Sequence, residues 1–152
     1  MYDFRTNSRI TASGAYIFGK QGLISFDYTF RDYTNMAFSG GNFNDINQNF
    51  EREYRNTNAI NIGTEWRFDR LSVRGGYLYE ENPNTVAAKG GTNNDDNTQG
   101  YSLGLGYDFG SILVDLSYRN TERQDFESMY RPGDVAINSN ACRFSGTIRI
   151  NL

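Results

Sequence analysis

Residues 102–109 carry one feature that restricts folding more than any other: strict alternation. Leu103, Leu105, Tyr107 and Phe109 are apolar or aromatic, whereas Ser102, Gly104, Gly106 and Asp108 are small or charged. Successive side chains of a β-strand point to opposite faces, so this period of two gives one wholly apolar face and one polar face. No helix can separate these residues in that way.

The pattern recurs along the chain. Ile112, Val114, Leu116 and Tyr118 oppose Asp115, Ser117 and Arg119, with Leu113 the one apolar intruder on its polar face. Ile24, Phe26, Tyr28 and Phe30 oppose Ser25, Asp27, Thr29 and Arg31. Ile60, Ile62, Trp66 and Phe68 oppose Asn61, Glu65 and Arg67, and Leu71, Val73, Tyr77 and Tyr79 oppose Ser72, Arg74 and Glu80. Phe144, Ile148, Ile150 and Leu152 oppose Arg143, Ser145, Thr147, Arg149 and Asn151, and a weaker copy spans Ile10 to Phe18. The segments predict about seven strands, most of roughly ten residues, the length a tilted strand needs to cross a bilayer.

Composition agrees. The chain has 11 Tyr and 11 Phe, which favour strands, and only 2 Pro. It has no apolar run of the roughly 18–20 residues that a membrane-spanning helix requires, despite being 38% hydrophobic. A net charge of −3 disfavours a nucleic-acid partner. The single cysteine, Cys142, cannot form a disulfide within the chain. Histidine is absent, which removes the commonest general base and zinc ligand. The reading is therefore a non-enzyme without cofactor or metal.

A soluble sandwich also alternates, so the chemistry of the polar face decides. It carries Asp, Arg, Glu, Ser, Thr and Gly, while lysine occurs only at Lys20 and Lys89, outside the strands. Small residues mixed with opposed charges suit a water-lined lumen in which carboxylates and guanidinium groups pair. The connections alternate as well. Tight turns fall at 19–22, 69–70 and 110–111, and long polar connections cover 34–53, 82–98 and 121–139. Short periplasmic turns and long extracellular loops in this order belong to outer-membrane barrels, and the last strand would then end on the periplasmic side. The fold expected is all-β, an antiparallel up-and-down transmembrane β-barrel, with residues 1–152 forming part of one such domain.

An odd strand count leaves two unpaired edges in lipid, where each orphaned backbone group costs several kcal/mol. Met1–Arg5 (MYDFR) also lacks the basic region and apolar core of an export signal. The chain is thus expected to be a fragment whose N-terminal strands lie elsewhere.

Ordered motifs carry a family resemblance. Gly22–Tyr33 (GLISFDYTFRDY), Ile62–Phe68 (IGTEWRF), Leu71–Tyr79 (LSVRGGYLY) with its exit Glu80–Pro83 (EENP), Gly100–Tyr107 (GYSLGLGY) and Val114–Tyr118 (VDLSY) resemble successive strands of FadL-family outer-membrane transporters. The resemblance implies the C-terminal half of a barrel of about 14 strands. It further implies uptake of long-chain fatty acids or other hydrophobic compounds, with an N-terminal plug and a lateral exit into the bilayer. No ligand-binding residue carries over, because the plug and N-terminal strands are not in this sequence. The partners implied are membrane lipids, a hydrophobic small-molecule substrate, the barrel-assembly machinery and the N-terminal half of the same barrel.

The candidate lumen residues are Asp27, Arg31, Glu65, Arg67, Arg74, Asp108, Asp115, Arg119 and Arg149, which either line a substrate path or form ion-pair networks that fill the barrel. Phe38, Phe43 and Phe50 lie in a long polar connection and either catch an apolar ligand or pack the loop. Asn93–Asn97 offers oxygen atoms for Ca²⁺ without the full loop signature, and a solvated loop is the plainer reading. Cys142 is read as a small apolar filler. Gly75, Gly76, Gly104 and Gly106 are read as relieving crowding or allowing curvature. Two other classes stay open: a structural or adhesive barrel acting through its long loops, and a soluble lipocalin-like barrel.

Overall fold

The computed structural model describes residues 2–85, 96–128 and 134–150. Lys89, Asn93–Asp95, Asn151 and Leu152 lie outside the described residues. Seven strands form one sheet: β2 (Ser8–Phe18), β3 (Gly22–Asp32), β5 (Thr57–Phe68), β6 (Leu71–Glu80), β7 (Thr98–Asp108), β8 (Ile112–Ser128) and β9 (Asp134–Ile150). Each pairs antiparallel with the next in the chain, giving the up-and-down order β2-β3-β5-β6-β7-β8-β9. The alternating segments all become strands, and no register slips between neighbours.

The tight turns explain that register. Gly19 and Gly110 adopt φ of 58° and 97°, the left-handed region that glycine reaches without cost. Asp69 does the same at φ 53°, which a short polar side chain tolerates better than most. Asp108 closes its turn by accepting a hydrogen bond from the Gly110 amide at 2.7 Å.

The faces are inverted relative to a water-soluble protein. Leu103 and Leu116 are each 60% exposed and Phe144 is 79% exposed. On the opposite parity Thr29 is only 3% exposed, and Gly104 and Gly106 are buried. Ala59 is the one buried hydrophobic residue among those described. The described residues offer no apolar core for the sheet to close around, so its stability depends on hydrocarbon covering the apolar face. A lipocalin-like arrangement would enclose that face. Here it points outward.

Two connections differ from expectation. Residues 34–53 contain a short strand and a helix, and the segment at 121–139 is mostly strand. β8 and β9 each run 17 residues and pair from Ile112↔Ile150 up to Ser128↔Asp134. The sequence there is mostly polar in 120–128 and keeps no consistent alternation in 134–142, so it gives no sign of a ladder held by backbone hydrogen bonds. The outward parity changes from Tyr118 and Phe144 to Asn120 and Asn140. That change marks the edge of the apolar band, and the hairpin continues beyond it into water.

The helix α1 (Asn44–Glu53) has Asp45 in its first turn and Arg52 in its last, complementing the helix dipole. It docks on β4 (Ala37–Ser39), which pairs with β1 (Asp3–Arg5). Asn47 fixes this packing, accepting from the Phe38 amide at 2.8 Å and donating to the Phe38 carbonyl at 3.0 Å. Phe38 meets Phe4, Phe43 and Phe50 at ring separations of 4.6, 5.5 and 6.0 Å. The loop phenylalanines therefore pack on one another.

The inverted faces make neighbouring positions respond in opposite ways. Leu116→Arg puts a cation in the apolar band and should cost about 2–4 kcal/mol, whereas Ser117→Arg, one residue on, should cost under about 1 kcal/mol. Urea titration of the assembled barrel in phospholipid vesicles measures both. Equal costs would contradict the assignment of faces.

Candidate functional site

The polar face is organised by side chains that reach over a strand. Arg67 Nε donates to Glu65 Oε1 at 2.7 Å, and Arg74 Nε donates to Glu65 Oε2 at 3.0 Å. Arg74 Nη1 then donates to Asp115 Oδ1 at 2.6 Å. The first two contacts lie within or between adjacent strands. The third runs from β6 to β8, a spacing of roughly 10 Å that β7 separates.

Glycine permits that crossing. Arg74 is directly opposite Gly104, and Asp115 is directly opposite Gly106. A Cβ at position 104 would press on Arg74 at 3.3 Å, and one at position 106 would collide with the Asp115 carboxylate. The guanidinium thus lies over bare backbone. These glycines, read from sequence as relieving crowding, have a specific task.

A second crossing uses the same device. Arg31 on β3 pairs with Glu80 on β6 at 2.5 Å, passing over β5. Arg31 is opposite Thr57, and Glu80 is opposite Ala59, residues exposed by only 1% and 3%. Small residues two apart again leave the channel that a long side chain needs.

The remaining candidates are distributed differently. Asp27 and Arg119 border a groove of about 360 Å³ that Ser25, Gly63, Gly76 and Ser102 floor. Neither makes a hydrogen bond or ion pair with any described residue. Asp108 is taken up by its turn, and Arg149 sits opposite Leu113 at the short-turn end. The structure thus joins Glu65, Arg67, Arg74 and Asp115, pairs Arg31 with Glu80, and leaves Asp27, Asp108, Arg119 and Arg149 apart. Glu80, Ser102 and Arg143 were not singled out from sequence, although their parity places each on the polar face.

The other motifs have structural uses. Asp96 is 2% exposed, and Asn97 accepts from the Asn82 amide at 3.0 Å and donates to the Tyr79 hydroxyl at 3.1 Å. No group of three or more acids or cysteines among the described residues is placed to hold a metal ion. Cys142 lies on the outward face at the edge of the apolar band, 3.2 Å from Asn120 Nδ2 and 3.6 Å from the Tyr118 hydroxyl.

Comparison with curated proteins returns no match. Comparison with protein families returns the family described as Gram-negative porin, matched over residues 10–147. The match reaches every strand of the main sheet; it shows a porin-like outer-membrane barrel and does not single out the FadL family that the strand motifs resemble. It places the chain in the bacterial outer membrane as channel-forming β-barrel wall. With its inverted faces, polar inner wall and near-complete coverage, the chain belongs to the Gram-negative porin family.

Proposed function

We propose that these strands form part of the wall of a water-filled channel through which small hydrophilic solutes diffuse across the outer membrane. The observation that carries this reading is the ion-paired inner face. An apolar cargo would have to pass Glu65, Arg74 and Asp115, whose charges are paired with one another on the wall. The role is passage, not catalysis. The outer edges of β2 and β9 have no partner strand among the described residues. In hydrocarbon those edges need further strands, so we take the sheet as part of a larger closed barrel with membrane lipid as its outer partner.

Uptake of long-chain fatty acids is the second reading, drawn from the strand motifs. It is favoured by an apolar trough of about 460 Å³ on the outward face, lined by Leu103, Leu105, Leu116, Tyr118, Phe144 and Gly146. An acyl chain leaving sideways into the bilayer would find a fitting surface there. The trough faces lipid and the groove faces water, so the two readings make different demands on the wall.

Liposome swelling separates them. Vesicles containing the assembled barrel should admit small sugars and amino acids at rates that fall with solute size. Oleate transfer without sugar permeation would favour the second reading. The wall itself is tested by Gly106→Val, which should displace Asp115 from Arg74 and cost about 1–3 kcal/mol. Combined with Asp115→Ala, which removes the same contact, the loss should be clearly less than additive. Additive losses in urea unfolding would show that the crossing contributes nothing.

A further inference from the structure

The outward face of β8 and β9 joins two features that a channel wall does not need. Within the apolar band lies the trough of about 460 Å³. Its floor is Gly146, which lacks a side chain while its outward neighbours on β9 are Phe144, Ile148 and Ile150. Leu116 lies directly opposite, and a Cβ at position 146 would touch it at 3.5 Å. Tyr118 and Phe144 close the side toward the long connections, with ring centroids 4.8 Å apart.

Beyond those rings the outward positions turn polar. Asn120, only 6% exposed, donates to Asn140 Oδ1 at 2.9 Å, and Asn140 Nδ2 donates to Glu122 Oε1 at 3.5 Å. Glu122 is exposed and makes no ion pair with a described residue. Charge at this place is one-sided. Arg119, Arg123, Arg143 and Arg149 all have the opposite parity, so the outward positions offer Gln99, Asn120, Glu122 and Asn140 without a cation.

Spacing connects the two features. Asn140 is six residues from Gly146 along β9, which is about 20 Å of strand. One leaflet of a bilayer, headgroup region included, is of the same thickness, roughly 20–22 Å. We infer that this face holds one phosphatidylethanolamine molecule, with an acyl chain in the trough and its primary ammonium on Glu122 and Asn140. An ammonium has three donors and no acceptor, which suits a carboxylate beside an amide oxygen. An anionic headgroup would meet Glu122 as a like charge. A quaternary ammonium brings the charge but has no N–H to donate. The site depends on which face meets lipid, and not on what passes through the channel.

The test is native mass spectrometry of the assembled barrel. The detergent-solubilised protein is incubated with an equimolar mixture of phosphatidylethanolamine, phosphatidylcholine and phosphatidylglycerol of matched acyl chains, with and without millimolar Mg²⁺. The native barrel should retain one phosphatidylethanolamine several-fold more often than either competitor. Glu122→Gln should bring its preference over phosphatidylcholine close to unity. Gly146→Leu adds only apolar surface toward lipid, and by filling the trough should lower phosphatidylethanolamine retention several-fold. Heat-modifiable migration on gels shows that each variant is folded. Equal retention of the ethanolamine and choline lipids by the native barrel would overturn the headgroup assignment. So would a preference for phosphatidylglycerol, with or without Mg²⁺. Retention unmoved by Gly146→Leu, or a folded native barrel that keeps no lipid, would overturn the site.

Discussion

Backbone hydrogen bonding in hydrocarbon is the constraint on which this structure depends. An unpaired amide or carbonyl facing lipid costs several kcal/mol, so strands can cross a bilayer only as members of a continuous ladder. The seven strands obey this without a slip in register between neighbours. A slip of one residue would send every leucine of β7 inward and every glycine outward. Register and sidedness are thus one property, and the turns at Gly19, Asp69 and Gly110 hold it.

Once lipid covers the apolar face, the polar face has to be stabilised without an apolar core. Ala59 is the one buried hydrophobic residue among those described, so packing in the ordinary sense contributes little. The inner wall uses charge pairs that span a strand, which couple second neighbours as well as first. Arg74 links β6 to β8 over Gly104 and Gly106, and Arg31 links β3 to β6 over Thr57 and Ala59. A sheet braced in this way resists bending about its strand axes. That is a useful property in a wall that must keep a water-filled space open. The glycines weaken strand propensity locally, and the crossings they permit offset that loss.

The strand faces were legible because hydrocarbon imposes a simple rule on alternate residues. Ser102 to Phe109 declares its sidedness in eight residues, and the nine lumen candidates follow from the same parity. What parity does not convey is contact at a distance. Nothing in the spacing of Arg74 and Asp115 says that they meet, because the meeting depends on which strand lies between them and on its lacking side chains. Beyond the apolar band the rule lapses. Residues 120–128 pair with 134–142 although neither keeps a consistent alternation, and α1 forms in Asn44–Glu53, a segment dominated by polar residues. Its signal was present in the four-residue spacing of Ile46, Phe50 and Tyr54, a helical period inside a segment dominated by asparagine.

The same rule accounts for the family resemblance and for its coarseness. Leu71–Tyr79 reads LSVRGGYLY because Val73 and Tyr77 meet lipid, Arg74 meets the opposite face, and Gly76 leaves room for the Ser102 hydroxyl. Any outer-membrane strand at this depth with a bracing arginine faces the same demands, whatever its barrel carries. Short strand motifs therefore report side and depth in the membrane. Cargo has to be read from the inner face and not from these motifs. Arg74 is satisfied within the wall by Glu65 and Asp115, so its place in the motif records bracing of the sheet and not a solute.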